Sequence, residues 1–201
     1  MLEFLTFLLD NAIMPIKSEQ LLLTKGDKLP LEDAGNRYVY GISEGIIAVQ
    51  KEEMILDFSS IGQFVGFYAD GNSRLEGEVL TKSAIVWKFE LRDILTKIGL
   101  NNDGFLLYSK HASHMHDSLM KKISILKLNN TNKLILSLRS LASRFGESAT
   151  DLESCRLPEC FTKKVLSNYT GIKLSSLTKV LNNLHDDGKI VHSRRVILVH
   201  I

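Results

Sequence analysis

Cysteine is almost absent from this chain: 201 residues include only Cys155 and Cys160, five positions apart on either side of Pro158. Two thiols with no further Cys or His at ligand spacing make neither a disulfide framework nor a zinc site, so they read as small residues packing the strand around them. Long apolar runs are missing too. The first segment, LEFLTFLL, is apolar but short, carries Glu3 and has no basic leader. It reads as an amphipathic core helix rather than a signal peptide, and nothing approaches the roughly 20 apolar residues that span a bilayer. A cytoplasmic protein with no membrane partner is expected. The six histidines, His111, His114, His116, His185, His192 and His200, leave residues 21–89 without one, and neither a phosphate-binding glycine loop nor a nucleophile elbow occurs. Those absences exclude a small-barrel oxygenase with a histidine-held metal. No catalytic residue, metal or cofactor is expected.

Charge of one sign is also lacking overall, at +2, but it is unevenly spread. Residues 129–201 hold 11 Lys/Arg against 6 Asp/Glu, whereas residues 1–128 hold 14 against 17. The positive field belongs to the C-terminal third, which should be attracted to phosphate and lose affinity as salt rises.

That third is also where local signals coincide most. After Pro158, Thr162 is placed to cap a first helix over TKKVLSNY, accepting from first-turn N–H groups. Gly171 takes the turn, where a residue without Cβ reaches φ > 0, and Ser167, four residues earlier, is small enough to let two helices cross closely. Leu166, Ile172, Leu177, Val180, Leu181 and Leu184 supply a shared core at helical spacing. Gly188 stops the second helix, and Ile190 to Ile201 alternates well enough for two strands around Ser193-Arg194. Two helices, a tight turn and a terminal hairpin predict a winged helix-turn-helix. On the second helix the residues outside the apolar set are Lys173, Ser175, Ser176, Thr178, Lys179, Asn182 and Asn183, and none is acidic. Donors and acceptors of that kind read base edges, whereas carboxylates would face phosphates. An αα-hairpin with a terminal ribbon, or a winged helix that docks a protein, is the competing reading.

Between Leu21 and Phe89 the sequence changes to short β-rich runs, NRYVYGI, GIIAVQK, MILDFSS, QFVGFY, GEVLTKS and AIVWKF, punctuated by Gly26, Gly41, Gly45, Gly62, Gly66, Gly71 and Gly77. Strands this short predict an antiparallel barrel or jelly roll. A short helix near Arg92 to Ile98 follows, then a long one. Phe105, Tyr108, Ala112, Met115, Leu119 and Leu126 recur at spacings of three and four, with Lys122 as a polar intrusion, which predicts a coiled-coil seam for a two-fold dimer. The alternative is a helix lying on its own roll. A further helix over roughly 131–145 leads to the C-terminal domain. The resulting division is a sensor-like β-roll over 1–102, a dimerisation helix over 103–128 and a DNA-binding domain over 129–201, an α+β fold. His111, His114 and His116 flank the seam; His111 and His114 share a face and His116 lies round the helix from them. They read as polar flanks, with a metal or proton sensor as the alternative.

This order resembles the Crp/Fnr family of bacterial transcription regulators over nearly the whole chain. The N-terminal matches are KGDKL at Lys25, GISEGIIAV at Gly41 and IGQFVGF at Ile61; the more specific one runs from LPECFTKK through TGIKLSSLTKVLNNLHDDGKI. The resemblance implies a cyclic-nucleotide-binding-like jelly roll, a homodimer, double-stranded DNA as partner and contact with RNA polymerase. It also implies where the chain departs. The nucleotide-binding members carry a Gly-Glu pair and an Arg-Ser or Arg-Thr pair; here Gly66 precedes Phe67 and Arg74 precedes Leu75. The ribose-binding carboxylate and the phosphate-binding hydroxyl are both missing, so cyclic-AMP dependence is not expected. With no cysteine before Cys155, the iron–sulfur cluster of oxygen-sensing members is not expected either. The family's Arg-Glu-x-x-x-Arg reading set falls on Leu174, Ser175 and Lys179, which implies a different operator. Lys173, Ser175, Ser176 and Lys179 are expected in the groove, with Thr162, Lys163, Arg194 and Arg195 on the DNA backbone. An effector, if there is one, is a small molecule in the roll or a redox signal at the cysteines.

Overall fold

The computed structural model describes residues 2–33, 35–67, 75–148, 154–193 and 196–200. Arg74, Arg194 and Arg195 lie outside the described residues. The chain divides into two compact units, Met1–Ser118 and Leu119–Ile201. Six α-helices occur among the described residues, and none is long and apolar enough to cross a membrane.

The first unit opens with α1 (Leu2–Leu9), which buries Phe4, Leu5, Phe7 and Leu8 and leaves Glu3 and Thr6 outside, as its amphipathic pattern requires. Nine strands follow: β1 (Ser18–Thr24), β2 (Lys28–Leu29), β3 (Glu32–Asp33), β4 (Asn36–Glu44), β5 (Ile47–Lys51), β6 (Met54–Ser59), β7 (Phe64–Val65), β8 (Leu75–Val79) and β9 (Ser83–Glu90). They form one antiparallel sheet in the order β1-β9-β4-β3, with β7 on β4, and another in the order β2-β8-β5-β6. The central strands of the first, β4, β7 and β9, are covered on both faces, whereas β1 and β3 are largely exposed. Tyr40, Ile42, Val65, Ala84 and Val86 point toward Leu29, Ile47, Val49 and Val79 of the other sheet, whereas Val39, Phe64 and Phe89 point the other way. That second face is covered by α1 and by α2 (Leu91–Gly99), through Leu91, Ile94 and Ile98. Period-two alternation therefore separates two cores instead of a core from solvent.

Lys97 of α2 is fully buried, and its ammonium donates to the carbonyls of Leu8, at 3.0 Å, and Asp10. It satisfies the carbonyls at the C-terminal end of α1, which would otherwise lack partners inside the protein. The long helix α3 (Asn102–Leu126) starts where the Asn101 side chain accepts from the N–H groups of Asp103 and Gly104. A Cβ on Gly104 would collide with the ring tip of Phe7, so α1 and α3 meet at a distance only glycine permits.

In the second unit, the end of α3 is followed by α4 (Asn130–Phe145), capped by the Asn129 side chain, then β10 (Glu147–Ser148), β11 (Ser154–Arg156), α5 (Lys163–Thr170), α6 (Leu174–Asp186), β12 (Ile190–His192) and β13 (Ile197–His200). The strands pair antiparallel in the order β10-β11-β13-β12. Leu134, Leu138 and Leu141 of α4 are buried, as are Leu166, Leu177, Leu181 and Leu184 of α5 and α6 and Val199 of β13. Lys122, the polar intrusion in the α3 pattern, is itself buried and sets its ammonium 4.4 Å from the centre of the Tyr169 ring.

Candidate nucleic-acid interface

The geometry of α5 and α6 is built locally. Thr162 is the cap of α5, its hydroxyl accepting from the N–H of Val165, and Gly171 ends the helix at φ +69° in the left-handed region. Ser167 does more than leave room for a crossing helix. Its hydroxyl donates to the carbonyl of Ile172 at 2.7 Å and ties the last turn of α5 to the start of the next element. The Thr170 hydroxyl donates to the Leu166 carbonyl.

On α6 the two faces separate cleanly. Leu177, Val180, Leu181 and Leu184 are buried; Ser175, Lys179, Asn182 and Asn183 are exposed, Ser176 and Thr178 are half-buried, and Lys173 is exposed at the cap position. Leu174, at 50 % exposed, stands with the polar set instead of the core. Lys173 and Lys179 make no ion pair among the described residues. Four of the residues read as groove-facing (Lys173, Ser175, Ser176 and Lys179) thus lie together on the outer side of one helix.

Thr162 and Lys163 occupy a different place, the lining of a cavity of about 350 Å³ at the start of α5, shared with Glu159, His192 and Ser193. Nothing in the sequence pattern singled out His192. Its Nε2 is shielded from solvent and has no hydrogen-bond partner. Burial, then the ammonium of Lys163 and the ring of His185, push its pKa below the ordinary histidine value.

The expected dimer residues divide on α3. Phe105 is 60 % exposed and Leu126 is exposed, whereas Ala112, Met115 and Leu119 are half-buried. Tyr108 packs edge-on against Phe4 and Phe67 of its own unit. Leu106, Met120 and Ile123 are further exposed apolar residues of the helix. The expected seam therefore straddles two faces, one with Tyr108 turned toward the roll and one open.

His111 is not a polar flank. It is buried, within 5.3–6.2 Å of the rings of Phe4, Phe64 and Phe67, and its Nε2 has no hydrogen-bond partner. Burial, helped by His114, lowers its pKa to about 4. Phe67, expected from the resemblance in place of a carboxylate, sets its ring in the same cluster. Gly66 before it sits at φ +115°, and a Cβ there would strike the Tyr38 carbonyl. The backbone thus keeps the glycine of the pattern while the side chain after it has become part of the core. Neither Phe67 nor His111 was legible as a cluster, because their partners are far apart in the chain. Among the described residues no three metal-ligating side chains come together.

No family model matches this sequence. No curated protein matches it either. The fold, however, is shared with solved structures. A cyclic nucleotide-binding domain containing protein of Listeria monocytogenes EGD-e superposes with a TM-score of 0.80 at 15% identity, over 91% of this chain and 89% of that one. FixK2 of Bradyrhizobium japonicum matches with a TM-score of 0.75 at 16% identity, over 92% and 93% of the two chains. A CRP/FNR-family transcriptional regulator of Thermus thermophilus matches with a TM-score of 0.66 at 20% identity, over 91% and 94%. The chain has the fold of these proteins over nearly its whole length.

Proposed function

We propose that this protein is a sequence-specific, DNA-binding transcription regulator without chemistry of its own, acting in the cytoplasm as a homodimer on a palindromic operator. The observation that carries the reading is the outer face of α6, which offers Lys173, Ser175, Ser176, Lys179, Asn182 and Asn183 and no carboxylate before Asp186. A helix entering the major groove needs that surface. In this reading α5, α6 and the β12–β13 hairpin are a winged helix-turn-helix, α6 reads bases, and Thr162 and Lys163 hold a phosphate at their cavity. Arg194 and Arg195 are assigned to the backbone on sequence grounds alone.

Pairing through α3 supplies the two-fold axis. The side of the helix with Phe105, Ile123 and Leu126 exposed and Ala112 and Leu119 half-buried is the better seam, because Tyr108 is occupied in its own unit. In this reading cyclic AMP is not the effector, because the resemblance puts Phe67 in the place of the ribose-binding carboxylate; its ring packs on Phe4, Phe64 and Tyr108.

The test is selection of bound fragments from genomic DNA by the purified protein, with and without cyclic AMP, at two salt concentrations. An inverted repeat with half-sites about one helical turn apart is expected in both conditions, with weaker binding at higher salt. Enrichment only with cyclic AMP would overturn the reading of Phe67. Binding without a motif and without salt dependence would point to a protein partner in place of DNA.

A further inference from the structure

We infer that His192 is a third member of the phosphate site formed by Thr162 and Lys163, and that it takes up a proton when DNA binds. The inference rests on the reading of this unit as DNA-binding and adds to it a residue and a linkage. His192 ends β12, yet it lines the same cavity as Thr162 and Lys163 at the start of α5. Its Nε2 is buried without a hydrogen-bond partner, and leaving a buried polar atom in that state costs stability, a cost that a partner arriving with a ligand would relieve.

The charges around the ring explain why it stays neutral in the free protein. Lys163 from α5 and His185 from α6 oppose its protonation. Among the described residues Glu159 is the only carboxylate lining the cavity, and it is turned toward Arg156 at 3.7 Å. A phosphate seated between Thr162 and Lys163 reverses the balance. It brings negative charge to the cavity, draws the Lys163 ammonium to itself and gives the imidazolium a partner. The N–H groups in the first turn of α5 complete the same anion site. The pKa of His192 lies below 6.5 in the free protein and rises in the complex. Between the two values DNA binding consumes a proton, and affinity increases as pH falls.

Because phosphate contacts are independent of sequence, a random duplex of about 30 base pairs is a sufficient probe. Its dissociation constant, measured with the full chain at constant ionic strength from about pH 5.5 to 8, should weaken with rising pH by several-fold. The ceiling is about tenfold per pH unit for one proton. Titration calorimetry in two buffers of different ionisation enthalpy should show net proton uptake near about pH 6.5. His192→Gln should flatten the pH profile and abolish the uptake, whereas His185→Gln, which removes a group opposing His192 protonation, should keep the uptake and move it to higher pH. Salt-sensitive binding with no proton uptake, or with uptake that survives His192→Gln, would overturn the role of His192 while leaving the DNA-binding reading intact. Absence of salt-sensitive binding at any pH would overturn that reading and this inference with it. The buffer comparison uses the unmodified protein, so an absence of uptake overturns the inference even if the Gln variant folds poorly.

Discussion

Several cations of the first unit are tied to groups of that unit, whereas the two lysines at α6 in the second are not, although Lys122 and Arg156 of the second unit are tied to Tyr169 and Glu159. In the first, Lys97 is buried as a cap for α1, Lys28 pairs with Glu76 at 2.8 Å, Lys88 lies over the Tyr38 ring and Lys110 faces Glu3 at 4.0 Å. In the second, Lys173 and Lys179 reach outward from α6 with no carboxylate paired to them among the described residues. An ammonium in contact with its own protein contributes to folding; one held out on a rigid helix is available to something else. The first unit's polar groups are therefore expected to govern stability, and the second's to govern binding.

The sharpest way to break that division is in the aromatic cluster. Phe64→Ala should cost about 3–5 kcal/mol of stability, because it empties a site that is 1 % exposed between Phe4, Phe67 and His111. Trp87, the only tryptophan, lies in β9 of the same unit and reports its unfolding by fluorescence. If DNA affinity below the melting point falls as steeply as stability, the separation of roles is wrong.

Acid should act on the same cluster. The His111 pKa is lowered to about 4 in the folded protein against 6.5 when unfolded. Between those values the unfolded chain binds the extra proton, so stability rises with pH there. The contribution is fully present above about pH 6.5 and is lost as pH falls toward about 4, up to about 3 kcal/mol in all. Denaturant midpoints across this window should drop on acidification in the native protein and drop less in His111→Leu, which removes an unpartnered nitrogen from an apolar site.

On the other side of the comparison, Lys179→Ala should relax discrimination at one base pair by about 1–3 kcal/mol and leave the Trp87 melting curve unchanged. Lys163→Ala should weaken all sequences alike and reduce the salt slope by about one. Competition between the selected operator and random duplex separates the two. The smallest effect belongs to Thr162→Ala, about 1 kcal/mol of stability from the lost cap on α5. It is detectable by calorimetric melting of the second unit.

The second unit was the more legible in the sequence because its signals are local. The Thr162 cap, the Gly171 turn and the leucines of α5 and α6 all act within a few residues, and each lies where its spacing predicted. The strands of the first unit were legible by alternation, but the two-sided burial of the central strands in its larger sheet was not. Val39 and Tyr40 look equivalent in the sequence and serve different cores. His111 was misread for the same reason. From its neighbours on α3 it is a polar residue on a helix; what buries it comes from Phe4, Phe64 and Phe67, which no local period connects to it. His192 likewise depends on a cavity whose other wall comes from Thr162 and Lys163, well before it in the chain.

The contact between Phe7 and Gly104 offers a handle for engineering. Because the ring tip occupies the space a methyl group would need, Gly104→Ala is a bump that forces the Phe7 ring to shift, and Phe7→Leu is the matching hole. The pair forms a genetic lock: either change alone should loosen α1, and the two together should restore it. A chain carrying both would accept its own first helix and reject one that keeps Phe7.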